Sequence, residues 1–239
     1  MAKFYQETNY PLHEIARDTD IFVDNCALHI GVNTGFNKNT YSFNRGSASE
    51  DLFIKVQALG FWRNVVSDFN LDYSNRIFVT KEIYDEISFV EAKGNGKKRD
   101  NLILKLRENQ NSLKKVLKGR NSVISSTEKN VSFDYLSRRN SYFRRKYNLS
   151  EADFLLLMQS VFTQSEKGKR VSIISNDMRL FHSWRELMAK RRTAFEDIPF
   201  YFHWSVGNFS PGENYDFATD RISKKVVARN LVGESTSFS

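Results

Sequence analysis

Two short apolar runs that each end in an acid limit what this chain can fold into. They are Ile21-Phe22-Val23-Asp24 and Val171-Ser172-Ile173-Ile174-Ser175-Asn176-Asp177. β-Branched and aromatic residues in such blocks suit buried strands. A third run, Ile77-Phe78-Val79-Thr80, lies between them and feeds a helical pattern beginning Lys81-Glu82-Ile83. Strands alternating with helices predict a parallel sheet. Such sheets take ligands beyond the carboxyl ends of their strands, which is where Asp24 and Asp177 fall.

The helical segments have readable buried faces. Ser47-Ala48-Ser49-Glu50 has the form of a capping box, and Leu52, Val56, Leu59, Trp62, Val66 and Phe69 recur at three- to four-residue steps behind it. After the cap at Thr80, Ile83, Ile87 and Val90 form the inner stripe. At about 100° per residue Glu86 lies on its edge, Glu82 is the second choice, and Asp85 projects to the opposite side. Ser150 caps a helix that begins Glu151-Ala152-Asp153 and continues Phe154-Leu155-Leu156-Leu157-Met158, apolar nearly all round. An acid in the first turn of a buried helix serves as a cap, or is paired, or binds a metal. Asp177 is a second candidate cap, for a helix over 178–191. Residues 33–39 and 121–130 read as loops, Pro199 to Trp204 as a final strand placed at an edge by its proline, and the C-terminus as a flexible tail.

Charge divides the chain unevenly. Of 36 Lys+Arg and 28 Asp+Glu in 239 residues, the segment from Lys93 to Lys146 holds 16 of the former and 4 of the latter. It reads as an insertion at 91–148 in a single domain spanning 1–230, followed by a tail at 231–239. Within it Gly94-Asn95-Gly96 opens the insertion. Leu102, Leu106, Leu113 and Leu117 then share one helical face, which Gly119 would stop. Further on, Arg138, Arg139, Arg144, Arg145 and Lys146 are interleaved with Tyr135, Tyr142, Phe143 and Tyr147. Guanidinium groups that hold phosphates beside rings that stack on bases suit single-stranded nucleic acid; the other reading is that the rings dock the segment on the body. The single Cys26 excludes an internal disulfide and a cysteine-based zinc site. The N-terminus has no signal-peptide core, and no stretch nears the roughly 18 apolar residues of a membrane span. A soluble cytoplasmic protein with no membrane partner is expected.

Four acids therefore share an address: Asp24, Glu86, Asp153 and Asp177. Their order, and the pieces Leu149-Ser150-Glu151-Ala152-Asp153 and Ile173-Ile174-Ser175-Asn176-Asp177, resemble the PIN-domain nucleases. The resemblance covers the α/β body, about two thirds of the chain. It implies a three-layer α/β/α fold with a central, mainly parallel sheet and a metal-dependent endoribonuclease acting on single-stranded RNA. All four acids would be catalytic. Asp24, Asp153 and Asp177 would hold Mg²⁺ or Mn²⁺, which suit carboxylate oxygen. An antitoxin-like protein inhibitor or a homo-oligomer would be compatible with it. The sequence departs from the family in residues 36–75 and 91–148, extra relative to the small members. It also departs at Met178 and Arg179, where many members carry a further acid. Two other classes compete. One is a non-catalytic nucleic-acid-binding module in which the acids are caps. The other is a metal-dependent phosphatase, disfavoured because Asp24-Asn25-Cys26 lacks the second aspartate of an Asp-x-Asp loop.

Overall fold

The computed structural model describes residues 5–10, 12–29, 35–37, 42–44, 48–68, 74–89, 97–125, 130–175, 177–190, 198–203 and 222–227, several of them through the backbone alone. The elements run β1 (Tyr5–Tyr10), α1 (Leu12–Asp18), β2 (Asp20–Val23), α2 (Asn25–Leu28), β3 (Gly35–Asn37), β4 (Ser42–Asn44), α3 (Ala48–Ser67), β5 (Ile77–Thr80) and α4 (Lys81–Glu86). They continue with α5 (Lys97–Gly119), β6 (Val123–Ile124), α6 (Val131–Lys146), α7 (Glu151–Lys167), β7 (Val171–Ile174), α8 (Met178–Lys190), β8 (Phe200–His203) and β9 (Ile222–Val227). One sheet has the order β1-β9-β8-β7-β2-β5-β6. Its contiguous block β8-β7-β2-β5-β6 is parallel throughout, and β9 runs antiparallel to both β8 and β1. This is the three-layer α/β/α class with a mainly parallel sheet.

Connectivity fixes the layers. From β2 the chain steps to β5 and then to β6; from β6 it returns past β2 to β7 and then β8. Crossovers between parallel strands are right-handed, so the two directions of travel lay their helices on opposite faces. α3 and α5 pack together on one face; α7 lies against β5 and β7 on the other, with α6 and α8 beside it. The direction reverses between β2 and β7. That junction is the topological switch point, where the ends of adjacent helices splay and leave a crevice.

The strands form as their composition requires. Ile21, Phe22, Val23, Val171, Ile173 and Ile174 are all buried, each worth roughly 1.5–3 kcal/mol relative to exposure. The stripe on α3 is buried at Leu52, Val56, Leu59, Trp62 and Val66, and Trp62 Nε1 donates to Ala27 O at 3.1 Å, tying α3 to the turn that follows β2. Asn109 of α5 donates to Val56 O at 2.9 Å and accepts from Arg63 at 3.0 Å, so α3 and α5 are joined by polar contacts as well as by leucines.

Three expectations are corrected. Residues 35–37 form β3, paired antiparallel with β4, where a loop was expected. Val123–Ile124 form β6, paired in parallel with β5, within another expected loop; two residues at a sheet edge leave too little pattern to read. β8 is neither final nor at an edge, because β9 covers its outer side; Pro199 sits before it and offers only its carbonyl, which accepts from Ile173 N at 2.9 Å. The leucine face read in the basic segment is the face that packs: Leu106, Leu113 and Leu117 belong to the common core, with Leu102 against it, and β6 extends the main sheet. The cap at Ser47, the Gly94-Asn95-Gly96 opening, Phe69, Val90, Asn176 and the tail at 231–239 lie outside the described residues.

Candidate active site

The sheet ladder itself delivers the first two site residues. Beyond the last strand pairs, Asp24 N donates to Ile174 O at 2.9 Å and Ser175 N to Tyr201 O at 3.0 Å. Asp24 is thereby registered beside the end of β7, and Ser175 beside the end of β8. Asp24 caps the single turn of α2, its Oδ1 accepting from Asn25 N at 2.6 Å. Its Oδ2 accepts from the Ser175 hydroxyl at 2.6 Å. Ser175 Oγ in turn accepts from Asp177 N at 2.9 Å, so one serine links the two strand-end acids.

Asp177 caps α8, in keeping with its sequence position: Oδ1 accepts from Arg179 N at 2.6 Å. The Arg179 side chain then folds back, with Nη2 2.9 Å from Asp177 Oδ2 and Nη1 3.4 Å from Asn148 O. Asp153 closes a reciprocal capping box on α7. Its backbone N–H donates to Ser150 Oγ at 3.1 Å, and its Oδ2 accepts from Ser150 N at 3.2 Å. Glu86, at the last turn of α4, accepts from Asn25 Nδ2 at 3.3 Å through Oε2. The residue after the strand-end acid thus reaches across to the acid on the neighbouring crossover.

Asp153 acts on both Asp24 and Glu86, and Asp177 acts on both Asp24 and Asp153. Burial, then the charges of Asp153 and Asp177, hold the Asp24 carboxyl up at about 8, against the pull of Ser175 and the Asn25 amide. Asp153 is raised by burial and by Asp177, with Ser150 and Arg179 opposing. Glu86 is raised by burial, then by Asp153 and Glu82, with Asn25 opposing. The Cys26 thiol, beside Asp24, is also pushed up, by burial and by the three aspartates. Asp153 is therefore the hub, acting on Asp24 and on Glu86, with Asp177 acting on it. Buried carboxylates that raise one another's proton affinity are a mark of functional sites as well as of structural charge networks.

The donor set fits a hard divalent cation in its chemistry: three aspartates and a glutamate, all oxygen. Beside them the buried Asn25 Oδ1 has no hydrogen-bond partner among the described residues. The carboxylates, however, are aimed at their protein partners. Among the described residues no three His, Cys, Asp or Glu side chains are drawn close enough to hold a metal ion as they stand.

The five basic residues singled out in the sequence all lie exposed on α6. Arg144 is 3.8 Å from Glu151, and Lys146 is paired with Glu186, which also accepts from Lys190 and Tyr147 and is held down at about 2 by them. Arg138, Arg139 and Arg145 have no ion pair among the described residues. Most of the interleaved rings dock the helix: Phe133 and Phe143 are buried, and Tyr142 and Tyr147 pack against the core. Tyr135 is the exception at 64% exposed. The C-terminal turn of α6 leads through Asn148, in the left-handed region at φ 49°, directly to the Ser150 cap. Its carbonyl contact with Arg179 brings the basic helix to the rim of the acid cluster.

Sequence reasoning did not find Asn25 as a bridge to Glu86 or Arg179 as a clamp on Asp177. The signal for Arg179 was a cation two residues past a capping acid; Asn25 carried none, because its partner is distant in sequence.

No family model matches the chain, and neither the curated proteins nor the solved structures yield a match. The fold defines the chain by class: a three-layer α/β/α protein with Asp24 and Ser175 at the ends of the two strands that flank its switch point. No described helix is long and apolar enough to cross a membrane.

Proposed function

We propose that the protein is a metal-dependent nuclease of the PIN type that hydrolyses phosphodiester bonds in single-stranded RNA. The observation that carries this reading is geometric: Asp24 stands at the end of β2 beside β7, and the Ser175 hydroxyl bridges it to Asp177 at the switch point. Asp24, Asp153 and Asp177 would hold Mg²⁺ or Mn²⁺. A cation there supplies Lewis-acid polarisation of the phosphodiester and a more acidic water. Ser175 orients Asp24 through its hydroxyl. Asn25 fixes Glu86 by Oε2, so that Oε1 can orient an attacking water and take its proton. The exposed arginines of α6 hold the strand, and Tyr135 offers a face for a base.

The test is incubation of the full chain with labelled single-stranded RNA and Mn²⁺, Mg²⁺ or chelator, beside Asp24→Asn. Cleavage should require the metal and fall at least about a hundredfold in the variant, the scale of a lost electrostatic stabiliser. Undiminished cleavage by Asp24→Asn would remove the assignment.

A second reading has its own support. Asp24, Asp153 and Asp177 each already have a protein partner, in Ser175, Ser150 and Arg179. On that ground the protein would be a non-catalytic nucleic-acid-binding module. RNA binding without cleavage, and no heat on calorimetric titration with Mn²⁺ or Mg²⁺, would favour it.

A further inference from the structure

Arg179 stands where a cation is least expected. It lies in the first turn of α8, at the positive end of the helix dipole, where an acid is favoured and a base is not. Its side chain is 56% exposed. What holds it is Asp177, whose side chain is only 9% exposed and meets both Nη2 and Nε, and the carbonyl of Asn148 on the connection from α6. Its charge also reaches Asp153, lowering the proton affinity of that carboxyl. The guanidinium therefore spans the gap between the acid cluster and the end of the basic helix.

We propose that Arg179 is the built-in counter-cation of Asp177: it competes with divalent cations for that carboxylate and, once released, gives its planar fork to a substrate phosphate. The inference rests on the nuclease reading of the site and adds a residue to it. Both halves follow from the same chemistry. An arginine–carboxylate pair at a half-exposed position is worth little, so it yields to a stronger ligand. A freed guanidinium matches a phosphate with two parallel N–H donors, which an ammonium cannot do.

The experiment is a calorimetric titration of MnCl₂ into the full chain as wild type, Arg179→Gln and Arg179→Lys. It is paired with anisotropy of fluorescein-labelled single-stranded RNA in saturating Ca²⁺ in place of Mn²⁺. Arg179→Gln should bind Mn²⁺ about three- to tenfold tighter and the RNA about three- to tenfold weaker. Arg179→Lys should stay near wild type for Mn²⁺, because the charge remains, and lose RNA affinity, because the fork is gone. It reads the second effect alone should the glutamine variant fail to fold. Mn²⁺ binding by wild type with equal or weaker binding by Arg179→Gln overturns the counter-cation role while leaving the nuclease reading standing. Unchanged RNA affinity in both variants overturns the phosphate role. Absence of Mn²⁺ binding in wild type and Arg179→Gln alike removes both this inference and the reading beneath it.

Discussion

Asp24 shows what a buried carboxyl costs its fold. It is 1% exposed, its charged form is opposed by burial and by two aspartates, and its carboxyl is held at about 8. The sign of the consequence is fixed. A carboxyl raised from its ordinary value keeps its proton in the folded chain while the unfolded chain releases it, so stability falls as pH rises from about 4 to about 8 and levels off above. Asparagine mimics the protonated form: its Oδ1 can accept from Asn25 N, while its Nδ2 must donate to Ser175 Oγ, reversing that bond. Asp24→Asn should therefore melt above wild type, by a margin that grows by at most about 1.4 kcal/mol per pH unit across that window and vanishes near pH 4. Thermal melts at pH 4, 6, 8 and 9 check it; a constant difference would mean that Asp24 is not carrying the strain. Greater stability together with abolished cleavage is the expected signature of an active-site acid. The strand-end position of Asp24 and the capping roles of Asp153 and Asp177 were legible because they depend on residues within three of each other. The Asn25–Glu86 and Ser175–Asp24 bonds were not, because they join residues 61 and 151 positions apart.

At the scale of elements, α6 is the part whose sequence pattern had two readings, and the structure divides them ring by ring. Phe133 and Phe143 serve packing, Tyr135 faces outward, and Arg138 and Arg145 lie one above the other on the outer face at a seven-residue spacing. If that face follows a nucleic-acid backbone, Arg138→Ala, Arg139→Ala and Arg145→Ala together should flatten the salt dependence of RNA binding. The slope of log Kd against log salt should fall by about 0.7 for each phosphate of a single strand that is no longer neutralised. An unchanged slope would move the strand off α6. Lys146 is a poorer candidate than its sequence position suggested, since Glu186 holds it in a cluster that fastens α6 to α8.

For the whole molecule, the basic segment changes meaning once its packing is known. Residues 91–148 stand apart in charge, which is a property of surfaces. Leu106, Leu113 and Leu117 nevertheless fill the layer over α3, and Val123–Ile124 close the edge of the sheet beyond β5. Leu113→Ala should cost about 2–5 kcal/mol, as for any buried leucine in a shared core, and unfold the chain in one transition. A loss under about 0.5 kcal/mol in urea melts would mean that this leucine does not hold the segment to the shared core. The sequence by itself determined the parallel strands, the faces of α3, α5 and α7, and the caps that open α4, α7 and α8, since these follow from periodicity and from contacts within one turn. The tertiary structure decided that β8 is interior, that β6 exists, and that the reversal between β2 and β7 brings Asp153 within the field of Asp24 while Arg179 clamps Asp177. Strand order and the meeting of charges depend on which crossovers pack where, and that is settled by burial summed over the whole core.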